Sequence, residues 1–557
     1  ELRRGRKRGL VRVTPERIMI NERVCEGCGD CGAVSNCLSV EPVETDLGRK
    51  TQINQTSCNH DLSCVRGDCP AFITVIPDDD RDDVAASRPS APAVSDLPAP
   101  PPSDLSRTVA VRMPGIGGTG VVTVNQILGT AALLDGLHVA GVDQTGLSQK
   151  AGPVVSDLRI GPSATAVATH QGVDVYLAFD LLAAAEPSNL AGLSADTFAI
   201  VSTTRTPTGT MVSHVDASFP ELSAIAATVD DVVGRDHVQW IDAQRITTAL
   251  LGDAATANVL VLGVAVQSGH LAVSPSALEE AIELNGVAVQ ANLDAFRWGR
   301  QWAIDPASVE QHIGAAAARG GRLRTPRLPV ASLDGTLRAL VEQRADDLID
   351  YQSVAYARRF VDDVTAVAAA ERAAVGAPGA FTEQVARHLY KLMAYKDEYE
   401  VARLLLDDAE RSKVTSAFGT KARVTWNLHP PMLRAMGMKK KLELGAWARP
   451  ALSALRAAKR LRGTVFDPFH WTHVRTIERQ LVDEYRATVL EAARRLDASR
   501  LDQSVRLAAL PDIVRGYEQI KLRNVEAYHQ ALRSAQRGLD LQVTTVDTVP
   551  STMLSDY

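Results

Sequence analysis

Cys25-Glu-Gly-Cys28-Gly-Asp-Cys31, followed by Cys37, Cys58-Asn-His-Asp61-Leu-Ser-Cys64 and Cys69-Pro70, is the stretch on which the fold of this 557-residue chain turns. All seven cysteines lie inside it, which is not how a chain spends cysteine when it serves only as a small buried hydrophobe. Three thiolates separated by two residues can fold around one corner of an iron–sulfur cube. Each iron takes a cysteine sulfur, and the small Gly27, Gly29 and Gly32 let the backbone wrap closely. A zinc site asks instead for two paired-ligand knuckles, and cysteines at successive two-residue gaps make a poor tetrahedron. Disulfides fit less well: the number is odd, no signal peptide is visible, and a chain of this length can build its own core. The reading is a reducing, cytoplasmic setting with the cysteines as metal ligands.

A fourth ligand must come from elsewhere. In the two-cluster bacterial ferredoxin pattern, the cysteine before a proline crosses to the other cluster. Applied here, Cys69 completes the set of Cys25, Cys28 and Cys31, while Cys37 joins Cys58 and Cys64. The second set carries Asp61 where a middle cysteine is expected. Either Asp61 or a water holds its fourth iron as a [4Fe-4S] cluster, or the cluster is [3Fe-4S]. The gap from Cys31 to Cys37 is also two residues longer than the standard pattern. Residues 1–85 are read as a ferredoxin-like iron–sulfur module that ends with the apolar strand Ala71–Ile76.

The basic arm Arg3, Arg4, Arg6, Lys7 and Arg8 has no apolar segment behind it and reads as a solvated or partner-contacting arm, neither signal nor anchor. A formal charge of −6 gives no support for nucleic-acid binding, and no apolar run is long enough to span a membrane, so a soluble protein is expected. The acidic run Asp78–Asp83 and the Ala/Pro/Ser-rich segment after it cannot bury much surface. Residues 86–106 are read as a linker, partly polyproline II.

A new pattern begins at once. The apolar strand Val109–Met113, the loop Pro114-Gly115-Ile-Gly117-Gly118-Thr119-Gly120 and a helix over Val121–Leu134 follow in order. Strand, glycine loop and helix bring backbone amides and a helix N-terminus to one point, which suits an anion such as a phosphate. The plain alternative is a tight turn that only lets the helix pack on its strand. Further strands are predicted at His138–Val142, Val173–Phe179, Thr197–Ser202 and Val259–Gly263, giving an α/β, Rossmann-like domain with a mostly parallel sheet over residues 107–305. Ligand-facing groups should gather at the strand C-terminal ends. Those ends offer the glycine loop, the segment Asp143-Gln144-Thr145-Gly146 to Gly152, Asp180, and Thr203–Gly209.

From about Pro306 the composition shifts to Ala, Arg, Leu and Glu. Apolar residues recur at three and four, as in Leu337-Val341-Leu348, Val385-Leu389-Leu392 and Ile477-Leu481-Tyr485-Val489, predicting a mainly helical domain over 306–557. His470 and His473 could bind metal or act as acid and base, but their spacing fixes no third ligand and reads more simply as core or interface. Lys439–Lys441 and Arg460-Leu-Arg462 read as a solvated face, or as attraction for an acidic ferredoxin or the phosphates of coenzyme A.

The order of cysteine-rich module, linker, glycine loop Gly115–Gly120, Gln144–Gly152 segment and Leu177-Ala-Phe-Asp180 strand end resembles the indolepyruvate ferredoxin oxidoreductases, fused members of the 2-oxoacid:ferredoxin oxidoreductase family. The run Asn21-Glu-Arg-Val-Cys25 through Cys69-Pro70 carries the closest match. The resemblance implies a gamma domain at 107–305, a helical domain after it, and thiamine-diphosphate domains that would lie before Glu1 or on another polypeptide. It implies oxidative decarboxylation of an aryl 2-oxoacid with coenzyme A, giving acyl-CoA, CO2 and reduced ferredoxin. The implied cofactors are iron–sulfur clusters here, with thiamine diphosphate and Mg on the domains not in this sequence. The implied partners are those domains, ferredoxin, and further copies in a homodimer or larger assembly. Cofactor-binding positions would be Gly115, Gly117, Gly118, Thr119, Gly120, Gln144 and Thr145.

Two other classes stay open at this point. One is the iron–sulfur subunit of an NAD(P)- or flavin-dependent oxidoreductase, with a dinucleotide on Gly115–Gly120 and its ribose on Asp143. The other is a scaffold whose clusters only stabilise the fold.

Overall fold

The computed structural model describes residues 10, 14–55, 57–67, 69–78, 94, 97–103, 106–146, 152–164, 166, 172–215, 217–320, 325–429, 441–470 and 472–541. The basic arm at 3–8, most of the linker, the polar segment 147–151 and Lys439 with Lys440 lie outside the described residues. No helix among those described is long and apolar enough to cross a membrane.

Strands β1 (Arg17–Ile20) and β4 (Phe72–Ile76) pair antiparallel and bracket the cysteine module, with Ile18 opposite Thr74. Between them lie the short helix α1 (Asp30–Ser35) and the hairpin β2 (Val40–Thr45) and β3 (Gly48–Ile53). Alternation in β1 turns Ile18 and Ile20 inward, where they join Val24, Val40, Ile53, Phe72 and Val75 in a core edged by the cysteines.

The next unit is a six-stranded sheet in the order β10-β9-β8-β5-β7-β6. Its strands are β5 (Val109–Ile116), β6 (His138–Thr145), β7 (Pro153–Gly161), β8 (Val175–Ala178), β9 (Phe198–Ser202) and β10 (Val238–Ile241). β10, β9, β8 and β5 run parallel, and β7 is antiparallel to both β5 and β6. The sheet is thus mostly parallel with β7 reversed. Helix α2 (Val121–Leu134) follows the glycine loop, over the span the periodicity predicts.

Two local readings need correction. Val259–Gly263 is not a strand but the middle of helix α6 (Ala257–Gln267), in which every residue is buried. A short apolar run buried on all sides looks the same in a central strand and a buried helix, and only its packing decides. Strand β7 is absent from the sequence reading because Asp157 and Arg159 interrupt its apolar run. Asp157 is buried by an ion pair with Arg112 Nε at 2.8 Å across the sheet, and that pairing makes a charged residue tolerable there.

Around the sheet lie α3 (Leu181–Ala184), α4 (Gly209–Ser213), α5 (Ala243–Leu251), α7 (Val289–Ile304) and α8 (Pro306–Gly320). Val309 of α8 is fully buried in the same core as Trp298 and Leu260. The packing boundary therefore falls after α8, although the composition changes at Pro306.

The helices that follow include α9 (Gly335–Tyr351), α10 (Val354–Val375), α11 (Ala380–Met393), α12 (His473–Arg494), α13 (Leu501–Ala509) and α14 (Glu518–Gly538). They close on a core of Val341, Phe360, Leu389, Tyr485 and Tyr528. This region also holds two strands, β11 (Arg423–Leu428) and β12 (Leu442–Leu444), which extend the cysteine module's sheet in the order β1-β4-β11-β12. Trp426 stands opposite Ile73, and Asn427 Nδ2 donates to Thr74 Oγ1 at 2.9 Å. The helical region thereby covers an edge of β4 whose amides and carbonyls would otherwise be unpaired.

Candidate iron–sulfur centre and ligand cleft

The backbone around the first three cysteines is shaped by glycine. Gly27 has φ +65°, and a Cβ there would lie 2.1 Å from the Arg49 carbonyl oxygen, so only glycine lets the loop pass against β3. This places Cys25, Cys28 and Cys31 within electrostatic reach of Cys69. A separate set forms around Cys64, whose strongest charged neighbours are Cys58, Cys37 and Asp61. Electrostatically, Cys69 is thus grouped with the first three cysteines and Cys64 with Cys58, Cys37 and Asp61.

Burial pushes the thiols up, to about 11 for Cys28 and about 12 for Cys31 and Cys64, and further for Cys69, with neighbouring thiols adding to the effect. Backbone amides point at sulfur: Gly27 N donates to Cys25 Sγ at 3.3 Å and His60 N to Cys58 Sγ at 3.4 Å. Asp61 Oδ1 accepts from the Ser63 amide and hydroxyl at 3.0 and 2.8 Å. Among the described residues, no three His, Cys, Asp or Glu side chains close around a single-ion position.

The carboxylate of Glu26, between Cys25 and Cys28, has an unusual setting. Burial opposes its charge, but Lys521, Lys396, Lys50 and Lys391 overcome this and hold its carboxyl below the usual range. Lys50 Nζ also donates to the Cys25 carbonyl oxygen at 2.6 Å. None of these lysines stands out in the sequence, because they come together from β3, from α11 and the turn after it, and from the helix Glu518–Gly538.

A cleft lies where the cysteine module meets the C-terminal ends of the sheet. One wall is Ile116, Gly117, Gly118 and Thr119, Phe179 and Asp180, and Thr204 to Thr206; the other includes Leu38, Ser39, Glu41, Asn54 and Ser57. Leu38 and Ser39 follow Cys37, and Ser57 precedes Cys58, so the second wall is built from the loops of the second cysteine set. Asp180 is only 2% exposed and caps α3, its Oδ1 accepting from Leu182 N and Ala183 N, both at 3.0 Å. Its Oδ2 is buried without a well-formed hydrogen bond. Desolvation raises the Asp180 pKa, against the help of the cap amides and Thr206, and desolvation likewise raises Glu41, whose Oε1 accepts from Asn54 Nδ2 at 2.8 Å. Arg205 adds a positive group at the rim. The cleft therefore combines one guanidinium with two carboxyls biased toward the neutral form, while the Gly117 and Thr119 amides are spent on the Gly152 and Ile116 carbonyls at 2.7 and 3.3 Å.

Not all the sequence candidates meet here. Gly115 lies within β5, where a Cβ would meet Val121 Cγ2 at 2.7 Å, and Gly120 is the N-cap of α2 with φ +98°. Gln144 and Thr145 are on β6, with β7 between them and β5, and Gln144 Nε2 reaches Asp157 Oδ2 at 3.4 Å. Glu41 escaped the sequence reading because its only signal is position on a strand beside the cysteines.

Residues 110–302 match the family model described as pyruvate ferredoxin/flavodoxin oxidoreductase, and residues 337–534 match a family of unknown function. The indolepyruvate oxidoreductase subunit IorB of Pyrococcus horikoshii is 28% identical over 188 residues, covering 33% of this chain and 91% of that protein. The subunit of the same name from Archaeoglobus fulgidus is 29% identical over 192 residues, covering 34% of this chain and 92% of its own. Among solved structures, pyruvate oxidoreductase subunit PORC of Thermotoga maritima aligns at 24% identity and TM-score 0.27, over 35% of this chain and 97% of that one. The α/β unit is a pyruvate ferredoxin/flavodoxin oxidoreductase domain. Over that third of its length the chain is similar to indolepyruvate oxidoreductase subunits.

Proposed function

We propose that this chain is the electron-transferring part of an indolepyruvate or arylpyruvate ferredoxin oxidoreductase. In the overall reaction a 2-oxoacid, coenzyme A and two oxidised ferredoxins give acyl-CoA, CO2, a proton and two reduced ferredoxins. The observation that carries this reading is the partition of the ligands into Cys25, Cys28, Cys31 and Cys69, and Cys37, Cys58, Cys64 and Asp61. Bound in these sets, iron–sulfur clusters supply one-electron outer-sphere transfer. The chain's own residues supply burial, sulfur-directed amides and charge. The thiamine-diphosphate chemistry belongs to partner domains or a partner subunit, and the cleft offers Arg205, beside the glycine loop, to a phosphate-bearing co-substrate such as coenzyme A. Asp61 gives the second set an oxygen ligand, or leaves it a three-iron cluster.

The dinucleotide reading is disfavoured by the sheet order. Asp143 is two strands from β5, roughly 10 Å at ordinary strand spacing, and is engaged by Asn125 Nδ2 at 2.8 Å and by the Ser156 hydroxyl. That distance does not suit a ribose whose phosphates sit on the glycine loop.

The test is low-temperature electron paramagnetic resonance on anaerobically purified protein, before and after dithionite, with iron and sulfide counted. Two interacting four-iron signals, or one four-iron and one three-iron signal, are expected. Zinc with no paramagnetic cluster would sink the reading.

A further inference from the structure

The basic stretch that ends at Phe466 has no part in the cleft or the cysteine sets, yet it is held in an unusual way. From Gly445 to Phe466 the sequence carries five Lys or Arg and no Asp or Glu. The helix Arg449–Ala457 and the tighter turn Ala458–Leu461 lead into the loop 462–467. Leu452 and Leu455 pack the helix on the core edged by the cysteines. Lys441, just before β12, donates to the Cys69 carbonyl at 2.9 Å, so the stretch leaves directly from the cysteine module.

Two of its cations are spent inward. Arg462 Nη2 donates to Asp397 Oδ1 at 2.8 Å, with its guanidinium 3.7 Å from the Tyr351 ring centre, and Lys459 donates to the Asp350 carbonyl. Arg456 and Arg460, one turn apart, are exposed and pair with none of the described residues.

The loop that follows is clamped at both ends. Opposite Arg462, Asp467 is 4% exposed; its Oδ2 accepts from Gly463 N at 2.9 Å, and its Oδ1 accepts from the Tyr399 hydroxyl at 2.9 Å and from Phe469 N at 3.0 Å. Between these two buried charges Val465 and Phe466 are 76% and 78% exposed, and Leu461 just before them is 39% exposed. A loop free to collapse would fold such side chains back onto the protein. This one holds them out in water, where apolar surface is unfavourable. A rigid apolar knob bordered by unpaired cations has the make-up of an interface anchor, because little freedom is left to lose on binding.

We propose that Arg456, Arg460 and the knob of Leu461, Val465 and Phe466 form the docking face for an acidic electron carrier, a ferredoxin, that takes electrons from this chain. The carrier's role rests on the electron-transfer reading above; its chemistry, an acidic protein with an apolar recess, rests on this face. Charge complementarity decides among occupants. The chain's net charge of −6 opposes an acidic partner in general, so approach is favoured at an acid-free stretch with unpaired arginines. Nucleic acid would offer phosphates to the arginines and little to the aliphatic Leu461 and Val465.

The test is binding of a dye-labelled two-cluster bacterial ferredoxin to the full, anaerobically purified chain, followed by fluorescence anisotropy at low salt and at about 1 M salt, where charge is screened beyond about 3 Å. Arg456→Glu combined with Arg460→Glu is expected to weaken binding about tenfold or more at low salt, with the gap closing at high salt. Phe466→Ser is expected to weaken it about tenfold at both. All three side chains are exposed, so the fold is kept, which thermal unfolding checks. Native affinity in both variants, or no binding by the native chain, would overturn the docking face. So would binding that depends on the arginines alone, the mark of a general polyanion site, or a native dimer that Phe466→Ser dissociates, which would give the face to a second copy. A chain that binds ferredoxin here but holds no iron and sulfide would keep the face and sink the electron-transfer reading. Clusters present with unchanged binding in the variants would do the reverse.

Discussion

Gly32 and Val212 lie so close that a Cβ on the glycine would come within 2.3 Å of the Val212 carbonyl oxygen. This is the seam between the cysteine module and the α/β domain. Arg49 reinforces it by donating to the Met211 carbonyl at 3.1 Å and to that of Val215. The cleft depends on this seam, because its two walls belong to the two units.

Replacing Gly32 by Val should therefore separate the units at α1 and α4. Overpacking of this kind costs about 1–3 kcal/mol. A lower midpoint in thermal unfolding is the expected result, with faster protease cleavage between 78 and 106. Full native stability in Gly32→Val would show that the seam yields without cost.

Asp180 and Glu41 give the cleft a pH signature. Both have folded pKa values raised by desolvation above those of the unfolded chain. Their protonated forms favour the fold, so their contribution is complete below the ordinary carboxylate range and is lost as pH rises through the folded values. Asp180→Asn removes that dependence while keeping a side-chain oxygen for the cap amides. Urea unfolding at pH 4 and pH 8 should show the variant gaining on the native protein at the higher pH; a difference that does not move with pH would count against a strained Asp180.

His388 behaves in the opposite sense. Burial, with Lys391, Arg515 and Arg387 nearby and only Asp512 opposing them, pushes it down to about 4. Its neutral form is the folded one, so stability is held above pH 6.5 and lost as pH falls toward 4. The loss approaches about 3 kcal/mol when protonation is complete. His388→Gln should flatten this part of the curve, and denaturant titrations from pH 4 to 7.5 would reveal it.

Glu371 is 1% exposed and accepts from the amides of Gly379 at 2.9 Å, Phe381 at 3.1 Å and Thr382 at 2.9 Å, as well as from the Thr382 hydroxyl. It acts as a side-chain cap for α11 supplied by the preceding helix. Glu371→Ala leaves these donors buried and unpaired, at a cost of about 3 kcal/mol or more. Hydrogen exchange at Phe381 and Thr382 should accelerate selectively.

Much of this protein is legible residue by residue. The span Val121–Leu134, the strand Val109–Met113 and the helical periodicity at Leu337, Val385 and Ile477 all report local preference combined with one buried face, and those signals survive in a single sequence. Arg462 shows where such reading ends. It belongs to a basic run that reads as a solvated face, yet it is 7% exposed, with its guanidinium paired to Asp397 and 3.7 Å from the Tyr351 ring centre. Its burial rests on partners 65 and 111 residues away in the chain, Asp397 and Tyr351, and spacing carries no record of that.

The sequence by itself determined the chemistry available: seven thiols and one aspartate in ligand spacing, a glycine loop between strand and helix, and three composition blocks. These are short-range facts, set by which side chains can ligate and which backbones can turn. Tertiary structure alone decided that Glu41 and Asp180 line one cleft. It alone decided that β11 and β12 complete the module's sheet and that lysines from β3, α11 with the turn after it, and α14 surround Glu26. Each of these joins residues far apart in the chain, and their proximity follows from how the cores of the three units close on one another.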